Sequence, residues 1–345
     1  MRLALILSLA AYAQRPEQAL QNSAARVVFD LGGGSLTVFQ LSGGVNPLRW
    51  LGPADTNATL RPMAHFLCLD RWGQPSAEDL AHGMPYHGEA TRVMWKAGAS
   101  TATSLTMSAH LPIANLDVAR TAKLSDNSAV LTVSETVTNR NKLGKIYNMV
   151  QHPTIGPPFL DEQTMVDANA RRGFMQSSPM PNPEEPSVWW PQALKDGSPV
   201  NMRFLTNDPM PNVVSYVVEE PLGWTTASSP TSGLLLGYLW KTEEYPWFNA
   251  WRHVDGANKP LARGLEFGTT GLHQPFAVLI EKGRIFGRRL SSYLEPGASA
   301  TRGYIAFLAR IPSDWKGTER VTLLNGTITV MERGTRKVTV SGASW

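Results

Sequence analysis

Titratable side chains gather in four short stretches of this chain. The first is Asp70-Arg71-Trp72-Gly73, and the second runs from His82 to Ala90 and holds His82, His87 and Glu89. The third runs from Tyr147 to Gly156 and holds Asn148 and His152. The fourth passes from Tyr245-Pro246-Trp247 through Trp251-Arg252 to Arg263-Gly264-Leu265-Glu266-Phe267-Gly268. Imidazoles and carboxylates are the usual carriers of protons in catalysis. Tryptophan and arginine beside them suit a polar ligand with an apolar face. An indole offers a flat apolar surface and a guanidinium offers fixed donors. The chain holds 11 tryptophans, and the apolar face of a pyranose stacks well on such a ring, although any one of them serves equally as core.

Other chemistries fit poorly. Cys68 is the single cysteine, so no internal disulfide forms, and its place between Leu67 and Leu69 reads as buried packing rather than a reactive thiol. A zinc site from His82, His87 and Glu89 lacks the His-x-x-x-His or paired-cysteine spacing that would support it. No Gly-x-Ser-x-Gly is present for a serine hydrolase. Phe29-Asp30-Leu31-Gly32-Gly33-Gly34-Ser35 resembles the phosphate loop of actin-like ATPases and sugar kinases, but the alternation of strands and helices that such a fold needs is missing.

The elements that must position these groups are short strands. Residues 26–31 and 36–41 are β-branched and aromatic around a glycine break, which predicts a tight strand pair. Alternating polarity predicts further strands at 101–108, 118–124 and 129–138, the last two joined by a turn at Ser125-Asp126-Asn127. Apolar runs at 213–218, 233–240, 276–281 and 303–309 continue the pattern. Asn325-Gly326 between alternating segments predicts a type I′ hairpin, with one more strand at 337–340. Ser76 followed by Glu78 and Asp79 predicts a short helix to about His82. The proline-rich segment from Ser177 to Pro211, with Trp189 and Trp190, reads as a long irregular excursion of the kind that is usually functional or mobile. Many short strands without helical periodicity imply an all-β sandwich, and no linker divides residues 26–345.

The remaining composition narrows the setting. Arg2, the apolar run 3–10 and Ala11-Tyr12-Ala13 read as a signal peptide over 1–13, followed by a polar segment at 14–25, and so imply a secreted or periplasmic protein. That apolar run is too short to span a bilayer and no later stretch is long enough, so no membrane insertion is expected. The net charge of +4 comes from scattered residues, which excludes the basic stripe of a nucleic-acid binder.

Taken in order, these motifs resemble the aldose 1-epimerases and related hexose-phosphate mutarotases, the galactose mutarotase-like family. The early glycine-rich strand pair is followed by Met84-Pro85, then His87-Gly88, then Trp95. Asn148 to His152 matches an Asn-x-x-x-His spacing on a strand, and Leu265-Glu266-Phe267 matches a late glutamate in a short apolar strand. The likeness runs from about Arg26 to Pro312 and implies a large twisted antiparallel β-sandwich. It implies an isomerase that interconverts the anomers of an aldose. Glu266 would act as general base on the C1 hydroxyl and His152 as general acid on the ring oxygen. Arg71 and His87 would hold the ring, and Trp247, Trp251 and Arg252 would contact the sugar. This chemistry needs no metal, no cofactor and no covalent intermediate.

Each assignment has a structural competitor. His152 could be satisfied by backbone, Glu266 could face solvent or pair with Arg263, and Arg71 could pair with Asp70. His82 competes with His87, and the aromatic–arginine run could be a core edge. A substrate-holding aspartate has no clear counterpart, with Asp208 and Asp255 both open. The alternatives keep the sugar. A glycoside hydrolase or polysaccharide lyase on a related sandwich could pair Glu266 with Glu243, Glu244 or Asp255, and a non-catalytic carbohydrate-binding protein would not need His152 near Glu266. The acid–base reading requires both groups to face one pocket, about one sugar ring apart.

Overall fold

The computed structural model describes residues 15–52, 60–205 and 208–345. The signal peptide expected at 1–13 lies outside them. The regular structure of the described residues is almost all antiparallel strand, arranged as an 11-stranded and an 8-stranded sheet with smaller sheets attached. The two large sheets pack face to face over one hydrophobic cluster. It contains Leu67, Leu69, Met149, Leu265 and Phe267 from the larger sheet, and Leu105, Val118, Val133, Leu236 and Tyr238 from the smaller. A three-stranded sheet built from Thr318–Leu324, Thr327–Glu332 and Lys337–Ser341 covers the far side of the 8-stranded sheet, through Val321, Ile328 and Val330 against Leu235, Ile305 and Phe307.

Most expected strands form. Ala25–Asp30 pairs with Leu36–Leu41, and Asn325 and Gly326 both take positive φ in the hairpin they close. The helix Ala77–Ala81 starts at Ser76 with a full capping box to Asp79. Three readings are corrected. The polar segment before Ala25 contains the strand Glu17–Gln21, which edges the large sheet. The segment from Ser177 to Pro211 is not wholly irregular, since Gln192–Lys195 and Ser198–Asn201 form a hairpin. Phe276–Lys282 is a helix rather than a strand. An apolar run that short does not distinguish the two. Pro275 opens it, Gly283 closes it in the left-handed region, and only Leu279 is buried.

Three strands of the large sheet position the four stretches. His65–Asp70, Lys145–Ile155 and Pro260–Gly268 lie side by side, with Lys145–Ile155 in the middle. Phe66 stands opposite His152. Gly264 pairs with Thr154 and Phe267 with Gln151, so Glu266 stands beside His152 on the other flank. Partners directly opposite share a face, and neighbours along a strand do not. Gln151 shows which face is inner. Its amide reaches between the sheets to Glu135 Oε2 (2.5 Å), and Glu135 Oε1 accepts from Arg120 Nε (2.6 Å). With Gln151 turned inward, Phe66, His152 and Glu266 all face outward.

Candidate active site

On that outer face a cavity of about 350 Å³ is lined by His87, His152 and Glu266, with Trp50, Trp72 and Trp251 among its walls. His152 and Glu266 touch at its floor, with Nε2 3.2 Å from Oε1. Both are buried. Glu266 Oε2 accepts the indole N–H of Trp72 at 2.7 Å. Gly264, on the same face of the strand, leaves room for this carboxyl, because a Cβ there would lie 2.9 Å from Oε1.

The tautomer of His152 is assigned from its hydrogen-bond partners. Thr154 Oγ1 lies 2.9 Å from His152 Nδ1 and 3.3 Å from the His152 carbonyl oxygen. The hydroxyl has one proton, and the carbonyl can only accept it. Assigning that proton to the carbonyl puts a hydrogen on Nδ1, donated to Thr154, and leaves Nε2 as a lone pair facing Glu266. A bare nitrogen and a bare carboxylate oxygen repel, so one proton must lie between them.

The surroundings decide where that proton rests. The ring of Phe66 stacks on His152 at 4.2 Å, and Trp251 meets it edge-on at 5.8 Å. Burial among these rings pushes the His152 pKa down to about 3. The same desolvation raises Glu266 to about 8, against the lowering effect of the Trp72 bond. The resting pair is uncharged near neutrality, with the proton on Glu266. Trp72→Phe removes a donor that favours the carboxylate. The pH–rate limb belonging to Glu266 is expected to move to higher pH in that variant, as read from kcat/KM profiles, and an unmoved limb would show that Trp72 does not tune this carboxyl.

His87 stands at the wall. It adopts φ 66 and is followed by Gly88 at φ 77, where a Cβ would lie 2.0 Å from the Leu69 carbonyl oxygen. This left-handed step is what turns the ring into the cavity. Gly73 N–H donates to His87 Nδ1 at 3.0 Å, so the neutral ring carries its hydrogen on Nε2. Burial and the neighbouring His152 and His273 hold its pKa well below the ordinary value. His273 is lowered by burial to about 4, and its Nε2 meets the Tyr86 hydroxyl at 3.1 Å.

Of the residues expected at the site, His152, Glu266, His87 and Trp251 come together. Arg71, Trp247 and Arg252 do not. Arg71 forks onto Asp70 Oδ2 (3.0 and 2.8 Å), reaches Asp79 and lies over the Phe276 ring. Trp247 shares the outer face with Trp251 but lies four residues along the strand, under a cluster that includes Leu279 from the helix Phe276–Lys282. Its indole N–H is committed to the Arg289 carbonyl. Arg252 follows Trp251 and so points to the opposite face, where it donates to the carbonyls of Phe204, Met210 and Pro211. Arg71→Ala is expected to cost about 3 kcal/mol by stranding Asp70, with Lys145 at 3.0 Å from Asp70 limiting the loss. The check is a denaturation midpoint that falls while KM of the folded fraction stays unchanged.

The other open questions resolve by position. His82 is exposed and bonded to Glu78, away from the cavity. Glu89 accepts the backbone N–H groups of Ile113 and Ala114. Asp255 caps the amides of Ala257 and Lys259, and Asp208 pairs with Lys195, so neither serves as a sugar-holding aspartate. Arg263 does not pair with Glu266; it faces inward and bonds the carbonyls of Met202 and Arg203. Cys68 is buried beneath the floor with Phe66, Trp72 and Val150. The walls Trp50, Phe66, Trp72, Tyr86 and His273 were not singled out from sequence. Trp72 and Tyr86 at least fall inside the first two polar stretches.

No protein-family model matches the chain. No curated protein sequence matches it either. Solved structures do. A galactose mutarotase related enzyme from Lactobacillus acidophilus superposes with a TM-score of 0.62 at 13% identity, over 86% of this chain and 98% of that one. A galactose mutarotase-like protein from Lactobacillus casei gives 0.61 at 15% identity, over 85% of this chain and 100% of that one. A galactose mutarotase-like protein from Clostridium acetobutylicum gives 0.56 at 10%, over 86% and 96%. At such identities the likeness is one of fold, and the chain has the galactose mutarotase-like β-sandwich fold.

Proposed function

We propose that this protein interconverts the anomers of an aldose by opening and closing the sugar ring, with His152 and Glu266 as the proton-transferring pair. The observation that carries this is the 3.2 Å contact between Nε2 and Oε1, which must hold a single proton. The two reacting oxygens of an aldose, the C1 hydroxyl and the ring oxygen, are bonded to one carbon. A group that takes a proton from one and a group that gives a proton to the other must stand close together. The expected separation of about one sugar ring is therefore corrected: the groups are 3.2 Å apart, and direct contact suits two oxygens on one carbon.

Protons balance over the cycle. Sugar hydroxyls entering the site supply hydrogen bonds that let the proton pass from Glu266 to His152. The carboxylate then takes the C1 hydroxyl proton while the imidazolium protonates the ring oxygen. The C1–ring oxygen bond breaks and a C1 carbonyl forms. The pair is left uncharged, as at rest. After rotation about C1–C2, Glu266 returns its proton to the carbonyl oxygen and His152 takes the one on the former ring oxygen, which closes the other anomer. His87 Nε2–H is placed to donate to a ring hydroxyl. The faces of Trp50 and Trp251 offer apolar platforms. The volume is at the small end for ligand sites and suits one monosaccharide ring.

A hydrolase is disfavoured. It needs a second carboxyl across the scissile bond, and among the described residues Glu266 is the sole carboxylate in the cavity lining. Glu243 and Glu244 line a different cavity. The test is to follow anomer exchange of several aldoses by polarimetry or NMR, starting from a pure anomer. Accelerated exchange for at least one aldose supports the reading, and exchange at the buffer rate for all of them would end it.

A further inference from the structure

A second cavity, of about 240 Å³, opens where the turn after Leu234–Lys241, the end of Pro260–Gly268 and the segment 284–292 meet. Its lining includes Arg284, Arg288, Arg289 and Arg302, together with the hydroxyls of Ser291 and Ser292. Among the described residues none of the four guanidiniums forms an ion pair. Their partners are neutral. Arg284 donates to the Gly287 carbonyl (2.8 Å) and Arg288 to that of Val218 (3.0 Å). Arg302 donates to the Tyr147 hydroxyl, to Ser292 Oγ (3.1 Å) and to the Glu244 carbonyl (3.3 Å). Two acids, Glu243 and Glu244, also line the cavity. Glu244 is occupied by Lys241 at 3.4 Å and by the Gly303 N–H at 2.7 Å, and Glu243 is exposed.

The backbone that carries Arg284, Arg288 and Arg289 is held in place. Arg284–Ile285 and Arg288–Arg289 form a small hairpin whose two turn residues, Phe286 and Gly287, both have positive φ. Buried Ile285 anchors it, and the Trp247 indole N–H holds the Arg289 carbonyl. The pairing sets Arg284 directly opposite Arg289. Like charges so placed oppose the hairpin they sit on. Packing holds this repulsion in place, and a bound anion would relieve it.

We propose that this cavity is a binding site for a tetrahedral oxyanion, phosphate or sulfate, either free or carried on a larger ligand. A carboxylate has two oxygens and is satisfied by one guanidinium fork. Several guanidiniums and two hydroxyls lining one small space match an ion with three or four acceptor oxygens. The site is separate from the His152–Glu266 cavity and does not depend on the function proposed for it.

The experiment is titration calorimetry with inorganic phosphate and with sulfate, at ionic strength held constant with chloride. The wild-type chain and the double variant Arg284→Gln/Arg289→Gln are compared. Both side chains are exposed, so the variant should fold, and Ser291→Asp gives a second route by placing a negative charge in the cavity. Wild type is expected to bind saturably, with each variant weakened at least about tenfold. A sugar phosphate monoester that binds tighter than inorganic phosphate would place the anion on a larger ligand, and equal affinity would identify a free ion. No saturable binding in wild type, or equal binding in wild type and both variants, overturns the proposal.

Discussion

Glu266→Gln is expected to slow anomer exchange by about 10²–10⁴-fold while leaving the fold in place. Glutamine keeps an oxygen for the Trp72 indole and the volume of the carboxyl, but its amide cannot pass a proton to His152 Nε2. His152→Asn should lose a similar amount. Because the two groups share one proton, they act as a unit, and removing both should cost little more than removing either. Exchange by magnetisation transfer on a slowly mutarotating aldose would measure all three variants. Wild-type rates in both single variants would remove the pair from the mechanism. Losses that multiply in the double variant would show that the two groups work independently and would contradict the shared proton.

The second large effect is on stability against pH. His65 and His152 are pushed down to about 3, His273 to about 4, and His87 well below the ordinary value, each mainly by burial. All four are neutral when folded and protonate near pH 6.5 when unfolded. The unfolded chain therefore binds more protons between about pH 4 and 6.5, and stability falls as pH drops through that window. Glu266 acts in the opposite sense. Raised to about 8, it keeps its proton when folded and loses it near pH 4.5 when unfolded, so its contribution falls as pH rises from about 4.5 to 8. Around pH 5 the net difference approaches three protons, which is roughly 4 kcal/mol per pH unit. Against a typical stability of about 5–15 kcal/mol, this loss brings acid unfolding to a higher pH than carboxylate protonation alone would. Denaturant midpoints should peak near pH 6.5–7 and decline above it, and Glu266→Gln should abolish the alkaline decline. A midpoint that stays flat from pH 7 to pH 5 would contradict the buried neutral imidazoles.

The sequence was informative where a strand has one wet face. Leu116–Leu124 alternates cleanly between buried and exposed positions, and its period was visible. His65–Asp70 is buried at every position because the sandwich core lies on one side and the floor of the cavity on the other. Such a strand shows no period, and the sequence marks it only through the buried packing read at Leu67-Cys68-Leu69 and the polar stretch that Asp70 begins. The meeting of His152 and Glu266 in one cavity was reachable through motif order. Arg252 takes the opposite face because one step along the strand reverses the side chain, and composition does not tell which face that is, whereas Trp247 has the right face but lies under Phe276–Lys282, a run that reads as a strand in the sequence. Trp50 and His273 carried no local signal, since an indole that walls a site and one that fills a core look alike in a sequence. Arg71 shows the converse, because its neighbour Asp70 already named its partner.

Lys145–Ile155 lies between two strands from distant parts of the chain, meeting His65–Asp70 on one edge and Pro260–Gly268 on the other. The imidazole–carboxyl contact spans 114 residues, so it cannot exist in a nascent or truncated chain that lacks the later strand. Closing so long a loop is slow relative to making local hairpins. During refolding, hairpins such as Thr318–Leu324 with Thr327–Glu332 can form early, while the Trp72–Glu266–His152 chain of hydrogen bonds comes only with the final long-range strand pairing. The indole of Trp72 is thus a built-in optical clock for that last event, and its emission, taken as the difference between wild type and Trp72→Phe among the 11 tryptophans, should lag behind the far-ultraviolet signal of the sheets.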